Sequence, residues 1–170
     1  MTMASMPPDP TRLVDIFAIQ QLKARYFRLM DTKQWDAMRT LFTDDMCFYY
    51  DSAMLPTVTE PRNRSADEFI ASVSRLLATA VTVHHGHTVE IDLTGERTAT
   101  GIWAMFDRVE GTHDGRFFEG QGHYHERYEK GEDQRWRIKE LRLTRLRYAP
   151  MPQSRDYRPA SPDGRQDATQ

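Results

Sequence analysis

Apolar residues return at three- and four-residue steps along the first part of the chain: Leu13, Ile16, Phe17, Ile19, Leu22, Tyr26, Leu29 and Met30. That spacing predicts a helix from about Thr11 to Asp31 with one apolar stripe, and Pro10 suits its first turn. A second short helix is predicted over Gln34 to Leu41, with Trp35, Met38, Leu41 and Phe42 turned inward. Thr43-Asp44-Asp45 stops it, and Met46–Asp51 has the aromatic density of a strand. Ser52 to Arg64 holds two prolines and reads as an irregular loop. Ser65-Ala66-Asp67-Glu68 matches a capping box at the start of a helix over Ala66 to Ala78. Phe69, Val73, Leu76 and Leu77 form the buried side of that helix.

From Val83 the period changes to two. His85, His87, Val89, Ile91 and Leu93 fall on one face, and Thr88, Glu90 and Asp92 on the other. Gly86 marks a candidate bulge, which would change the histidine that faces inward. After a turn at Thr94–Arg97, strands are predicted over Thr98–Val109, Phe117–Lys130 and Arg135–Tyr148. Turns at His113-Asp114-Gly115 and Gly131–Gln134 separate them, the Asp-Gly pair accepting positive φ angles. Helices followed by a long antiparallel meander make an α+β protein. Residues 11–148 form the one expected domain, between a disordered N-terminus (1–10) and a mobile C-terminal tail (149–170).

Composition narrows the function classes. At 170 residues the chain can bury a full core. Lys and Arg number 23 against 25 Asp and Glu, a net charge of −2, so no overall basic field favours nucleic acid. Cys47 stands alone and forms no internal disulfide. No apolar run approaches the roughly 20 residues a membrane helix needs, and the start MTMASMPPDP lacks a signal-peptide pattern. A soluble, cytoplasmic protein is expected.

Several residues could carry chemistry. Asp31 closes the first helix, where the macrodipole disfavours a carboxylate and a solvated aspartate is the ordinary reading. Tyr26 precedes it by five residues, about 140° round the helix, and a tyrosine on an apolar stripe is ordinarily core. His84, His85 and His87 lack the spacing of a metal site, since strand alternation opposes His84 to the other two and no CxxC or HExxH is present. One of them is a plausible general base if a carboxylate orients its ring. Asp107 interrupts the apolar run IWAMFDRV, and alternation leaves it open whether it faces in or out. Of Tyr49 and Tyr50 one faces in. Arg135, Arg137, Arg142, Arg145 and Arg147, interleaved with Lys139 and Glu140, read as a solvated face. There is no GxGxxG, no P-loop and no nucleophile elbow.

Four stretches carry a resemblance: Tyr26-Phe27-Arg28-Leu29-Met30-Asp31 with Trp35, HHGHTVEI at 84–91, TATGIWAMFD at 98–107 and HYHERYEK at 123–130. Together they resemble the SnoaL-like dehydratase family, which shares the fold of nuclear transport factor and scytalone dehydratase, and within it the bile-acid 7-alpha-dehydratase-like members. The resemblance spans about residues 12–148. It implies a conical α+β barrel, a long N-terminal helix packed on a strongly curved, mainly antiparallel sheet around an apolar pocket. It also implies a cofactor-independent, metal-free lyase that eliminates water from a hydroxylated polycyclic or steroid-like carbonyl compound. Carried over by position, the catalytic residues are Tyr26, Asp31, His84 and Asp107; Tyr50, Trp103 and His87 are expected to bind substrate. Choosing His84 over His85 goes against strict alternation and requires a kink at Gly86. The long loop 52–64 and the last two strands are not dictated by these motifs, so a bile-acid substrate does not follow. Rival readings keep the pocket: an isomerase, cyclase or hydrolase of an alicyclic substrate, or a non-catalytic ligand-binding or assembly subunit. The expected partners are a small hydrophobic carbonyl ligand and further copies of the chain, as a dimer or trimer joined through the outer sheet face; nucleic acid and membrane are not among them.

Overall fold

A computed structural model describes residues 10–153 and 157–158. Most of the two termini expected to be disordered or mobile (residues 1–9, 154–156 and 159–170) lie outside the described residues. Helix α1 spans Pro10–Asp31, α2 Trp35–Arg39 and α3 Ala66–Leu77; the strands are β1 Phe42–Asp51, β2 Val81–Leu93, β3 Thr98–Glu110, β4 Phe117–Lys130 and β5 Trp136–Pro150. They form one sheet in the order β1-β5-β4-β3-β2. The last four strands are the expected antiparallel meander. Strand β1 joins it in parallel with β5, Phe48 beside Leu141 and Tyr50 beside Leu143. The result is an α+β cone, an open sheet rather than a closed barrel, with α1 laid across its inner face.

Inner-face positions follow the two-residue period. Trp103, Met105 and Asp107 of β3, Tyr124, Glu126 and Tyr128 of β4, and Leu141, Leu143 and Arg145 of β5 are all buried. Facing them, α1 buries Ile19, Leu22, Lys23, Tyr26, Phe27, Leu29 and Met30. The apolar stripe is therefore shorter than its sequence spacing suggests: Leu13 and Phe17 are exposed, Asp15 between them being the residue that meets Trp136 and Lys130 of the sheet, whereas Lys23 is wholly enclosed.

Local chemistry sets the element ends. Ser65 caps α3 by accepting the Glu68 amide at 3.2 Å, and the Glu68 carboxylate reaches back to the amide of Arg64 rather than to Ser65. At the end of α1 the Gln34 amide bonds the Leu29 carbonyl and the Lys33 amide that of Met30. This is a Schellman closure with Lys33 at φ 58°, a left-handed position usually given to glycine. Thr43–Asp45, read as a helix stop, already belong to β1, whose pairing with β5 slips between Phe42 and Cys47. In the β3–β4 hairpin only Gly115 of the Asp-Gly pair takes a positive φ, 75°. Strand β5 runs on to Pro150, and Tyr157 packs against Phe117 with ring centroids 5.1 Å apart.

The bulge expected near Gly86 decides which histidine faces in. Gly86 pairs with Met105 and Val89 with Trp103, so three steps on β2 match two on β3. The extra residue flips the alternation. Thr82 and His84 therefore share the inner face with Val89, Ile91 and Leu93, while His85 faces out beside Phe106, ring centroids 6.3 Å apart.

Candidate active site

Helix α1 ends on the residue that opens the site. The Asp31 carboxylate meets β2 side on: Oδ1 lies 2.6 Å from His84 Nδ1 and accepts the Thr82 hydroxyl at 2.8 Å, and Oδ2 accepts the His84 backbone N–H at 3.0 Å. Thr82 in turn accepts the Lys33 ammonium at 2.8 Å. The left-handed turn after α1 delivers that lysine, so helix capping and site geometry are one feature. An ionised carboxylate only accepts, so Nδ1 of His84 carries the proton and Nε2 keeps a free lone pair. The Phe27 ring lies nearly parallel to the imidazole, 6.2 Å between centroids.

Burial draws the Lys33 ammonium down to about 8, against the raising influence of Asp31. Its folded-state pKa is thus below its unfolded one. The folded protein gives up this proton before the unfolded chain does, and this group contributes rising stability with pH from about 8 toward 10.5. Lys33→Met is expected to remove that rise: thermal unfolding at pH 7 and pH 9.5 should show a gain for wild type relative to the variant. Parallel shifts in the two proteins would refute the assignment.

Across the strand pair His84 stands directly opposite Asp107. Asp107 faces inward and meets Arg145 in a two-pronged ion pair, Nη1–Oδ1 2.8 Å and Nη2–Oδ2 2.7 Å, both side chains buried. Burial works against the guanidinium charge, but the hydrogen bonds and charge of Asp107 outweigh it and hold the Arg145 pKa above its ordinary value. Arg145 Nε is buried with no hydrogen-bond partner among the described residues. Tyr50 lies on the inner face of β1 with its ring 6.0 Å from the Arg145 guanidinium; Tyr49 faces out, against Arg142. Tyr26 and Tyr124 complete the wall, their rings edge to face at 6.0 Å. Burial first, then Tyr124, whose hydroxyl it hydrogen-bonds, and the charge of Glu126 keep Tyr26 well above the usual tyrosine range. Burial and Asp107 do the same for Tyr124. Both phenols keep their protons near neutral pH, and Tyr26 is hydrogen-bonded to Tyr124.

Asp31 thus touches His84, His84 pairs across the strands with Asp107, Tyr26 packs on Tyr124 and Tyr50 lies near Arg145. Trp103 and His87 lie elsewhere, in a cleft of about 310 Å³ between α1 and the β2 bulge, with Phe27, Ala24 and Val89 as its other apolar walls. Trp103 is buried there with its indole N–H on the Tyr128 hydroxyl at 2.8 Å, and His87 sits exposed at the rim. Phe27 separates this cleft from His84. A larger depression of about 470 Å³ lies among Arg39, Arg97, Lys130 and Arg137, apart from every site residue. Each of those cations is already paired with a carboxylate. Among the described residues no group of three or more His, Cys, Asp or Glu side chains is placed to hold a metal ion.

Arg145 was hidden by the basic composition of its strand, yet it continues the Leu141, Leu143 phase and so belongs to the inner face. Lys23 and Glu126 were missed because they carry charge, although Lys23 falls within the stripe of Ile19, Leu22 and Tyr26, and Glu126 between Tyr124 and Tyr128.

Residues 11–142 match the model of a family described as SnoaL-like domain. A probable cyclase of Gibberella zeae is 29% identical over 136 residues, covering 75% of this chain and 89% of that protein. Among solved structures, a candidate scytalone dehydratase of Novosphingobium aromaticivorans superposes with a TM-score of 0.69 at 19% identity, over 92% of this chain and 98% of its own. A hexachlorocyclohexane dehydrochlorinase of Novosphingobium barchaimii gives 0.67 at 15%, over 82% and 92%. At those identities the structural likenesses establish the fold alone.

Proposed function

Because the chain belongs to the SnoaL-like domain family, we propose that it is an enzyme of the lyase or isomerase kind, working by acid–base catalysis without a cofactor. Its finer form is a dehydratase for a hydroxylated polycyclic or steroid-like carbonyl compound. The observation that supports this reading is the Asp31–His84 contact, 2.6 Å from Oδ1 to Nδ1, which favours the tautomer that leaves Nε2 free to act as a base. The lyase names among the related proteins support the class.

In the proposed reaction His84 Nε2 takes the proton from a carbon next to the substrate carbonyl, and the C–H electron pair moves into an enolate. The carboxylate of Asp31 stabilises the imidazolium. Hydrogen bonds from Tyr26 and from the unpartnered Nε–H of Arg145 hold the enolate oxygen. Collapse of the enolate forms the C=C bond and expels the β-hydroxyl, which leaves as water with the proton returned by the imidazolium or relayed through Tyr50. A cyclase or isomerase would use the same enolate, closing a ring or returning the proton elsewhere; the Gibberella relative supports that second form. The apolar cleft behind Phe27, with Trp103 and His87, would hold the remote part of the ligand.

The test is a turnover screen of wild type and His84→Ala against hydroxylated 3-oxo steroids, bile-acid thioesters and smaller alicyclic hydroxy ketones. Turnover by wild type that His84→Ala abolishes, with ligand-induced thermal stabilisation retained, is expected. Equal stabilisation of both proteins with product from neither would make this a binding module. No helix among the described residues is long and apolar enough to cross a membrane. The outer face exposes Val83, His85 and Ile102, and we propose that copies associate there as a dimer or trimer. Sedimentation equilibrium yielding a monomer mass at micromolar concentration would overturn this.

A further inference from the structure

Beneath the proposed site lies a charge pair that the reaction does not use. The side chains of Lys23 on α1 and Glu126 on β4 form an ion pair, and neither is exposed at all. The ammonium is caged by aromatic faces: its nitrogen lies 3.6 Å from the Tyr124 ring centroid, 4.2 Å from that of Tyr26 and 4.8 Å from that of Phe27. The second carboxylate oxygen accepts the Tyr128 hydroxyl at 2.5 Å, and that hydroxyl accepts the Trp103 indole.

Stability does not explain the arrangement. Apolar residues of similar volume usually serve a core as well as a buried ion pair, because desolvation cancels most of the attraction. What the pair does that two leucines cannot is grip rings by their faces. A cation held against the π-faces of Tyr26 and Tyr124 fixes both planes and sets the Tyr26 hydroxyl against that of Tyr124. An isolated cation there would also pull the phenols toward ionisation. Glu126 cancels that, and its oxygens are already committed to Lys23 and Tyr128, so it does not capture the Tyr26 hydroxyl. We infer that Lys23, neutralised by Glu126, is a positioning residue that orients Tyr26 and Tyr124 so that their hydroxyls face the cavity beside Asp107. This deepens the proposed function, since it rests on Tyr26 acting as a hydrogen-bond donor to substrate.

Two measurements test it. The first uses the unaltered protein: with ¹⁵N-labelled lysine, Lys23 is expected as a ring-current-shifted ammonium at pH 7, and a neutral amine there would overturn the inference whatever the variants do. The second compares wild type with the double variant Lys23→Met/Glu126→Leu, following the ¹³Cζ resonance of Tyr26 (assigned through Tyr26→Phe). Its melting temperature should stay within about 5 °C of wild type while the Tyr26 line shifts and broadens. On whichever substrate the screen yields, kcat should fall on the order of tenfold or more with KM changed by less than about threefold. A double variant that keeps the wild-type Tyr26 line and kcat would reduce the pair to core filling. If no panel compound is turned over, the catalytic reading fails while the Tyr26 line still decides the positioning role.

Discussion

Gly120→Ala is expected to destabilise the fold by about 3–5 kcal/mol, the cost of breaking a buried ion pair, which for a chain of this size lowers the melting temperature by about 10 °C or more. The reason is local. A Cβ at residue 120 would stand 2.1 Å from Arg145 Nη1 and 2.2 Å from Asp107 Oδ1. Neither side chain can retreat into water, since both are buried on the inner face and the pair takes up both prongs of the guanidinium. The new methyl group therefore forces the charges apart where nothing else solvates them. Gln121→Ala, one residue along and on the exposed outer face, should stay within about 0.5 kcal/mol of wild type. Urea unfolding of the two variants decides the matter, and a Gly120→Ala protein as stable as Gln121→Ala would refute the argument. The same reasoning predicts rescue: replacing the pair by Asp107→Leu and Arg145→Met should restore much of the stability of Gly120→Ala, because the methyl group then meets apolar atoms.

That glycine also shows what sequence can and cannot display. Its need is set by two side chains from β3 and β5, 13 and 25 positions away in sequence, and no local pattern around it records them. Features with a short-range cause were readable: the Ser65 cap, the existence of the three strands that follow β2, and the glycine at 86 that announced a bulge. Strict alternation counted back from Leu93 puts His85 inward, and only the extra residue between Gly86 and Val89 corrects it to His84. Polarity misled in the other direction. Lys23, Glu126 and Arg145 lie on inner-face positions by spacing, yet Arg145 read as part of a solvated face and the other two drew no reading, because a buried ion is tolerated only with a partner supplied by a distant element. The parallel pairing of β1 with β5 joins residues more than ninety positions apart and had no local signature. Of the expected site residues, helix α1 brings Asp31 onto His84 and the β2–β3 pairing sets His84 opposite Asp107; that Tyr26 and Tyr50 act with them is our proposal. Trp103 and His87 line a separate cleft beside Phe27.

Asp31→Asn is expected to cut kcat on the substrate identified by the screen by about 10²–10⁴-fold, with a smaller change in KM. In wild type Asp31 presents two acceptor oxygens, one to the His84 ring and the Thr82 hydroxyl, the other to the His84 backbone N–H. An asparagine has one oxygen to offer, and the backbone decides where it goes. The His84 N–H is a fixed donor, so the amide oxygen must stay opposite it, and the NH₂ group is forced toward Nδ1. Two donors cannot face each other, so Nδ1 gives up its proton and Nε2 acquires one. The imidazole keeps its place but its free lone pair now points at the asparagine, and the nitrogen facing the cavity becomes a donor. Thr82 adjusts without difficulty, because its hydroxyl can accept from both Lys33 and the new amide. Folding should therefore suffer far less than catalysis. The ¹⁵N shifts of His84 read the tautomer directly: Nδ1–H in wild type, Nε2–H in the variant. An Asp31→Asn protein with the wild-type tautomer and turnover within about threefold of wild type would mean that the proton-abstracting group is not His84.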